Sequence, residues 1–149
     1  MSQSNNPVNQ AHLRSAYIAI NIILAAPVLL WPLPLLLFDN PLLPQLIIPT
    51  WNICIIILLM SAVSFDTLLL MPLNKEKALS STLWIVFMSL FIIQNYDHTW
   101  FLACLIFIHS LRSVQLILKG ASSNKSLLYF AWVRDVSISS SIFLWTYFV

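Results

Sequence analysis

Asp66, Arg112, Arg134 and Asp135 lie inside long apolar runs of a 149-residue chain that carries only seven Lys and Arg and five Asp and Glu. An ionisable side chain at membrane depth costs about 2.5–3.5 kcal/mol even on lenient insertion scales, so such groups pair with one another or serve a site. Carboxylates at that depth can hold protons or cations, and a guanidinium can hold an anion or act as a gate. Two acids and two bases also allow full pairing with no net buried charge. Arg134 and Asp135 are adjacent, and neighbours on a helix point about 100° apart. Each is therefore expected to find its partner on another segment, Arg134 with Asp66 and Asp135 with Arg112.

Further polar residues extend this set. Asn21 falls at a comparable position in the first apolar run. His109, Arg112 and Gln115 recur every three residues and would form a stripe along one helix, while Arg134, Ser137 and Ser141 share a helical face with Ser139 and Ser140 close by. Small hydroxyl residues let membrane helices approach closely, so His109, Gln115, Ser137 and Ser141 are read as a polar path or a helix-packing surface.

Other chemistry is thinly represented. His109 with Met60 or Met88 has the ligand types for haem iron, but a single glycine offers little room for a macrocycle. Cys54 and Cys104 sit at matched depths; their default is that of small apolar residues. Asp97, His98 and Asp39 fall in short connections, where such residues ordinarily make solvated turns. Phosphate-binding glycine loops, nucleophile elbows and H-E-x-x-H are absent. No catalytic residue, metal or cofactor is expected.

The elements that carry these residues follow from composition. With 60% hydrophobic and 8% charged residues, too little polar surface exists for a soluble monomer. The chain is expected to be an all-α integral membrane protein, a bundle of five transmembrane helices near 16–38, 51–71, 79–96, 100–118 and 127–148. Each run approaches the ~20 residues that cross a hydrocarbon core. Residues 1–15 read as a disordered cytoplasmic tail and 16–149 as one transmembrane domain. The first apolar run continues well past the length of a signal-peptide core, which favours an uncleaved anchor.

Arg14, Lys75, Lys77, Lys119 and Lys125 fall in alternate connections. The positive-inside rule then puts the N-terminus in the cytoplasm and the C-terminus outside. At 1.5 Å per residue, Asp66, Arg112, Arg134 and Asp135 lie roughly 9 to 12 Å in from the cytoplasmic ends of their spans, in one layer. Tyr17, Trp84, Tyr129 and Trp132 fall near inner ends, and Trp31, Trp51, Tyr96, Trp100, Trp145 and Tyr147 near outer ends, as interfacial belts would.

Pro27, Pro32 and Pro34 must kink or break the outer half of the first helix, and the carbonyls they free can line a site. The apolar connection 39–50 is expected to lie in the outer interface or against a partner.

No aqueous domain is present to act on a soluble substrate, and no basic block suggests nucleic acid. The expected role is a non-catalytic subunit or assembly protein of a larger membrane complex, in a bacterial inner membrane, with lipids, other membrane subunits or further copies as partners. The alternative is a small oligomeric transporter or channel using the Asp/Arg layer as an ion or proton path.

Overall fold

A computed structural model describes residues 7–38, 40, 42–70, 75–119 and 125–148. They form helices α1 (Pro7–Leu30), α2 (Leu33–Leu37), α3 (Leu43–Leu70), α4 (Lys75–Gln94), α5 (Thr99–Leu118) and α6 (Lys125–Phe148). No strand occurs among the described residues. Four segments are long and apolar enough to cross a membrane: Ala11–Leu37, Leu43–Thr67, Thr99–Leu118 and Lys125–Phe148. The expected third span is shorter. Its apolar part is Leu79–Gln94, which spans about 24 Å at 1.5 Å per residue against a core of about 30 Å.

Prolines shape the first half of the chain. Pro27 lies within α1, and the helix stops at Leu30 before Pro32 and Pro34. Pro32 has no N–H to give to the carbonyl of Val28, one turn back. That carbonyl instead accepts the indole N–H of Trp51 at 2.8 Å, and both residues are buried in the core. A backbone group freed by a break is thus used to join α1 to α3. Trp51 is a packing residue in place of the expected interfacial one.

Two expected boundaries move. The expected polar tail is helical from Pro7, whose missing N–H and fixed φ suit the first position of a helix; residues 1–6 lie outside the description. Residues 43–50, expected as an interfacial connection, are the first turns of α3. Asn40 organises that start: its Oδ1 accepts the Leu42 N–H at 3.0 Å and its carbonyl accepts the Leu43 N–H at 3.1 Å.

α3 is the hub, touching α1, α2, α4, α5 and α6, while α5 and α6 form the most extensive helix pair. The buried stripe of α6 runs Leu127, Leu128, Ala131, Arg134, Asp135, Ile138, Ser139 and Ile142, the three-and-four spacing of a helix seated against neighbours. A large apolar cluster built on Val28, Trp51, Ile55, Leu59, Leu102 and Ile106 fills one end of the bundle. A smaller one of Tyr17, Leu127, Leu128 and Ala131 fills the other. Along α6, the polar residues Arg134 and Asp135 fall between the two. By contrast, the most apolar 18-residue stretch of the Ala11–Leu37 segment is only 17% buried, against 39–44% in the other three. Most of α1 and α2 therefore faces outward.

Candidate functional site

Four helices bring one buried side chain or pair each to the polar layer: Tyr17 and Asn21 from α1, Asp66 from α3, His109 from α5, and Arg134 with Asp135 from α6. Tyr17 and Asn21 are one turn apart, and Asn21 Nδ2 donates to the Tyr17 carbonyl at 2.7 Å. This fixes the amide so that its Oδ1 accepts Arg134 Nη1. Arg134 Nη2 donates to Asp66 Oδ2 at 2.8 Å, as the charge count predicts. Asp66 also accepts the Tyr17 hydroxyl on Oδ1, and that hydroxyl in turn lies 3.4 Å from Arg134 Nη1. One guanidinium and one carboxylate thereby tie α1, α3 and α6 together.

The geometry corrects the second expected pair. Asp135 Oδ1 takes Arg134 Nε at 2.7 Å and Nη2 at 2.6 Å, so the carboxylate is met by its immediate neighbour. The buried stripe of α6 is wide enough to hold both positions. The long arginine stem then curls back over the 100° that separates the two Cβ atoms. Arg112 takes a different place, with its guanidinium 4.8 Å over the ring of Trp84. It also lines a small cavity with Asp66, Thr67, His109 and Ser113. Asp66, Asp135 and Arg134 sum to one negative charge, which Arg112 balances at the edge of the cluster.

His109 joins the two parts. Trp84 Nε1 donates to His109 Nδ1 at 3.2 Å, and indole nitrogen can only donate. Nδ1 is therefore the unprotonated nitrogen, and the proton sits on Nε2, which lies 3.2 Å from Asp66 Oδ2. The ring is a neutral imidazole whose tautomer is set by a tryptophan on one side and accepted by a carboxylate on the other. Nε2 also lies 3.9 Å from Asp135 Oδ2, beyond hydrogen-bond reach, and that oxygen accepts no hydrogen bond.

Asp66, His109 and Asp135 bring donor atoms within 4.8 Å of one another, a set with the ligand types of a divalent cation site. Arg134 already supplies positive charge to Asp66 Oδ2 and Asp135 Oδ1. A metal would have to displace it and leave a buried guanidinium uncompensated, so the donors fit an ion-pair network better than a metal site. The adjoining cavity is about 10 Å³, at the lower limit for a single water. A cavity of that size does not hold a chain of waters.

The remaining candidates stand apart from the cluster. Gln115 and Ser137 are exposed. Ser141 Oγ donates to its own helix at the Ser137 carbonyl, 2.8 Å away. The hydroxyl that crosses the α5–α6 contact belongs to Ser139, which donates to the Ala103 carbonyl at 3.0 Å. Met88 is in the core and Met60 Sδ lies 3.7 Å from Ser89 Oγ. Cys54 and Cys104 are free thiols. Asp97 and His98 form an exposed pair at 3.7 Å, and Asp39 lies outside the described residues.

Sequence reading missed Tyr17 and Trp84 as members, having assigned both to an interfacial belt. A signal for Tyr17 exists: it sits one turn before Asn21, so a buried Asn21 carries Tyr17 to the same face. For Trp84 the corresponding hint is a tryptophan well inside its helix, ten residues after Asn74. No family model matches the chain, and neither a curated protein nor a solved structure shows significant similarity to it.

Proposed function

We propose that the chain is a non-catalytic subunit or accessory protein of a larger membrane assembly, with the ionic cluster as the fastening that holds its helices in register. One observation carries this reading: among the described residues the groups able to do acid–base chemistry are buried and turned toward one another, whereas two sizeable grooves open outward. Tyr17, Asp66, His109, Arg134 and Asp135 form one connected network, and the cavity that Asp66 and His109 line beside it is about 10 Å³. Two large grooves lie on the periphery. One of about 630 Å³ is formed where the proline break meets α3, lined by Ile23, Pro27, Trp31, Pro34 and Ile47. The other, of about 670 Å³, lies between α4 and α5. A chain arranged this way offers surfaces for binding.

In the proposed topology α4 also crosses the bilayer. That makes five spans, with the N-terminus inside and the C-terminus outside a bacterial inner membrane; alternation of the lysine-bearing connections supports it. Local thinning of the bilayer would accommodate the short apolar stretch of α4.

Extraction in mild detergent, size-exclusion chromatography and mass spectrometry of the eluted species test the reading. A fixed larger partner, cross-linked through a photoreactive residue at Leu36 on the outward face of α2, is the expected result. A second reading, a small oligomeric transporter, draws on His109 standing between two carboxylates at 3.2 and 3.9 Å. Ion or solute flux by the purified chain alone, abolished by Asp135→Asn, would overturn the subunit reading in its favour.

A further inference from the structure

Among the described residues of the ionic cluster, the two carboxylates are satisfied unequally. Asp66 takes the Tyr17 hydroxyl on Oδ1, and Arg134 Nη2 and His109 Nε2 on Oδ2. Asp135 takes Arg134 Nε and Nη2 on Oδ1. Its Oδ2 accepts no hydrogen bond from the described residues, although Asp135 is only 2% exposed. An oxygen so placed keeps the cost of a charge taken out of water, with no donor to offset it. A proton on Oδ2 would remove that charge and leave both Arg134 bonds on Oδ1 in place.

The groups facing Asp135 are less open to a proton. α6 packs against α1, α3 and α5, which bring Tyr17, Asp66, His109 and Arg112 to the cluster, and Arg134 is on α6 itself. Both guanidinium groups already carry every proton they can hold, and the Tyr17 phenol is already protonated and donating. On Asp66, a proton at either oxygen competes with a donor that is already there. His109 is the sharper competitor, since imidazole is the usual proton acceptor near neutral pH. Its unprotonated nitrogen is Nδ1, and that atom receives the Trp84 indole N–H at 3.2 Å. Protonating it would set two N–H groups against each other, because indole nitrogen offers no acceptor. Trp84 thus closes the imidazole to a second proton and leaves the Asp135 carboxylate open.

We propose that Asp135 is a proton-binding site, which takes up one proton on Oδ2 while the bundle stays folded and His109 stays neutral. The carboxylate gains that proton from bulk water, and no other covalent bond is made or broken. Asp66, Arg134 and Asp135 together pass from one net negative charge to none. The new O–H has a carboxylate oxygen of Asp66 within 4.8 Å to turn toward. The site goes beyond the fastening role and depends on neither a partner nor a flux, so its failure would leave the subunit reading untouched.

The test uses the full chain, purified in detergent, with Asp39→Asn, Glu76→Gln and Asp97→Asn, which leave Asp66 and Asp135 as the only side-chain carboxyls. It is titrated with acid and followed by infrared difference spectroscopy, with nitrogen NMR of labelled His109 on the same samples. The carbonyl band of a protonated carboxyl should appear while the far-UV circular dichroism is unchanged. That band should be lost in Asp135→Asn and kept in Asp66→Asn. Over the same titration, His109 Nδ1 should remain unprotonated. The nitrogen signal needs no change at Asp135, so the test stays decisive if Asp135→Asn fails to fold. An imidazolium at His109 in place of the carboxyl band overturns the proposal. So does a band that Asp66→Asn removes, or a pair of carboxylates that stays ionised until the chain unfolds, as a bound water donating to Oδ2 would cause.

Discussion

Replacing Arg134 with leucine tests the claim that the ionic cluster fastens the bundle. Arg134 is 7% exposed and bonds Asp66 on α3, Asp135 on α6 and Asn21 on α1. Its removal leaves two carboxylates, 5% and 2% exposed, without the cation between them. Breaking a buried pair in this way costs about 3–5 kcal/mol, because the stranded charge retains its desolvation penalty. Against a total stability of about 5–15 kcal/mol, that loss is a third or more for most folds of this size. The assay is reversible unfolding of the detergent-solubilised chain by denaturing surfactant, followed by tryptophan fluorescence and far-UV circular dichroism. Adding Asp66→Leu to Arg134→Leu should recover part of the loss, since the second substitution removes a charge that the first one stranded. A single Arg134→Leu variant within about 1 kcal/mol of the parent, the level of an exposed ion pair, would refute the fastening role.

Three smaller perturbations probe separate joints. Trp51→Phe should cost about 1–3 kcal/mol by leaving the buried Val28 carbonyl unbonded; Pro32→Ala should shrink that cost by restoring an N–H within reach, as thermal melts of both backgrounds would show. Ser139→Leu should destabilise the α5–α6 contact by about 1–3 kcal/mol through overpacking, whereas Ser137→Leu, at an exposed position, should leave the melting temperature essentially unchanged. Nitrogen NMR of selectively labelled His109 should show an unprotonated Nδ1 and a protonated Nε2. Trp84→Phe should release that preference, and an Nδ1–H signal in the parent protein would contradict the tautomer assigned here.

Much of the fold was legible because membrane helices declare themselves through apolar run length, and four runs became helices long enough to span. Their ends were harder. Pro7 and Pro44 both suit a helix's first turn, so polar residues before 16 and apolar ones after 42 were drawn into α1 and α3 although neither stretch looks like the middle of a span. Pro32 announced a free carbonyl at Val28, but which group would fill it depended on the approach of α3. The polar layer was legible for a related reason: charged residues in an apolar chain have few places to go. Its neutrality could be counted from Asp66, Arg112, Arg134 and Asp135 before any helix was positioned.

Pairing within the layer was not legible, and the difference lies in side-chain reach. An argument from helical angles treats each residue as a vector at Cβ, which suits aspartate and serine. Arginine carries its charge several bonds farther out, so Arg134 can meet Asp135 beside it and Asp66 on another helix through one guanidinium. That double use leaves Arg112 outside the innermost contacts, on the face of Trp84 at the wall of the α4–α5 groove. His109 is the connection between these two positions, because Trp84 holds its Nδ1 while Asp66 takes its Nε2. A change at the groove that moves Trp84 must therefore alter the hydrogen bonding of the buried cluster. Outer surface and inner network are joined through one imidazole.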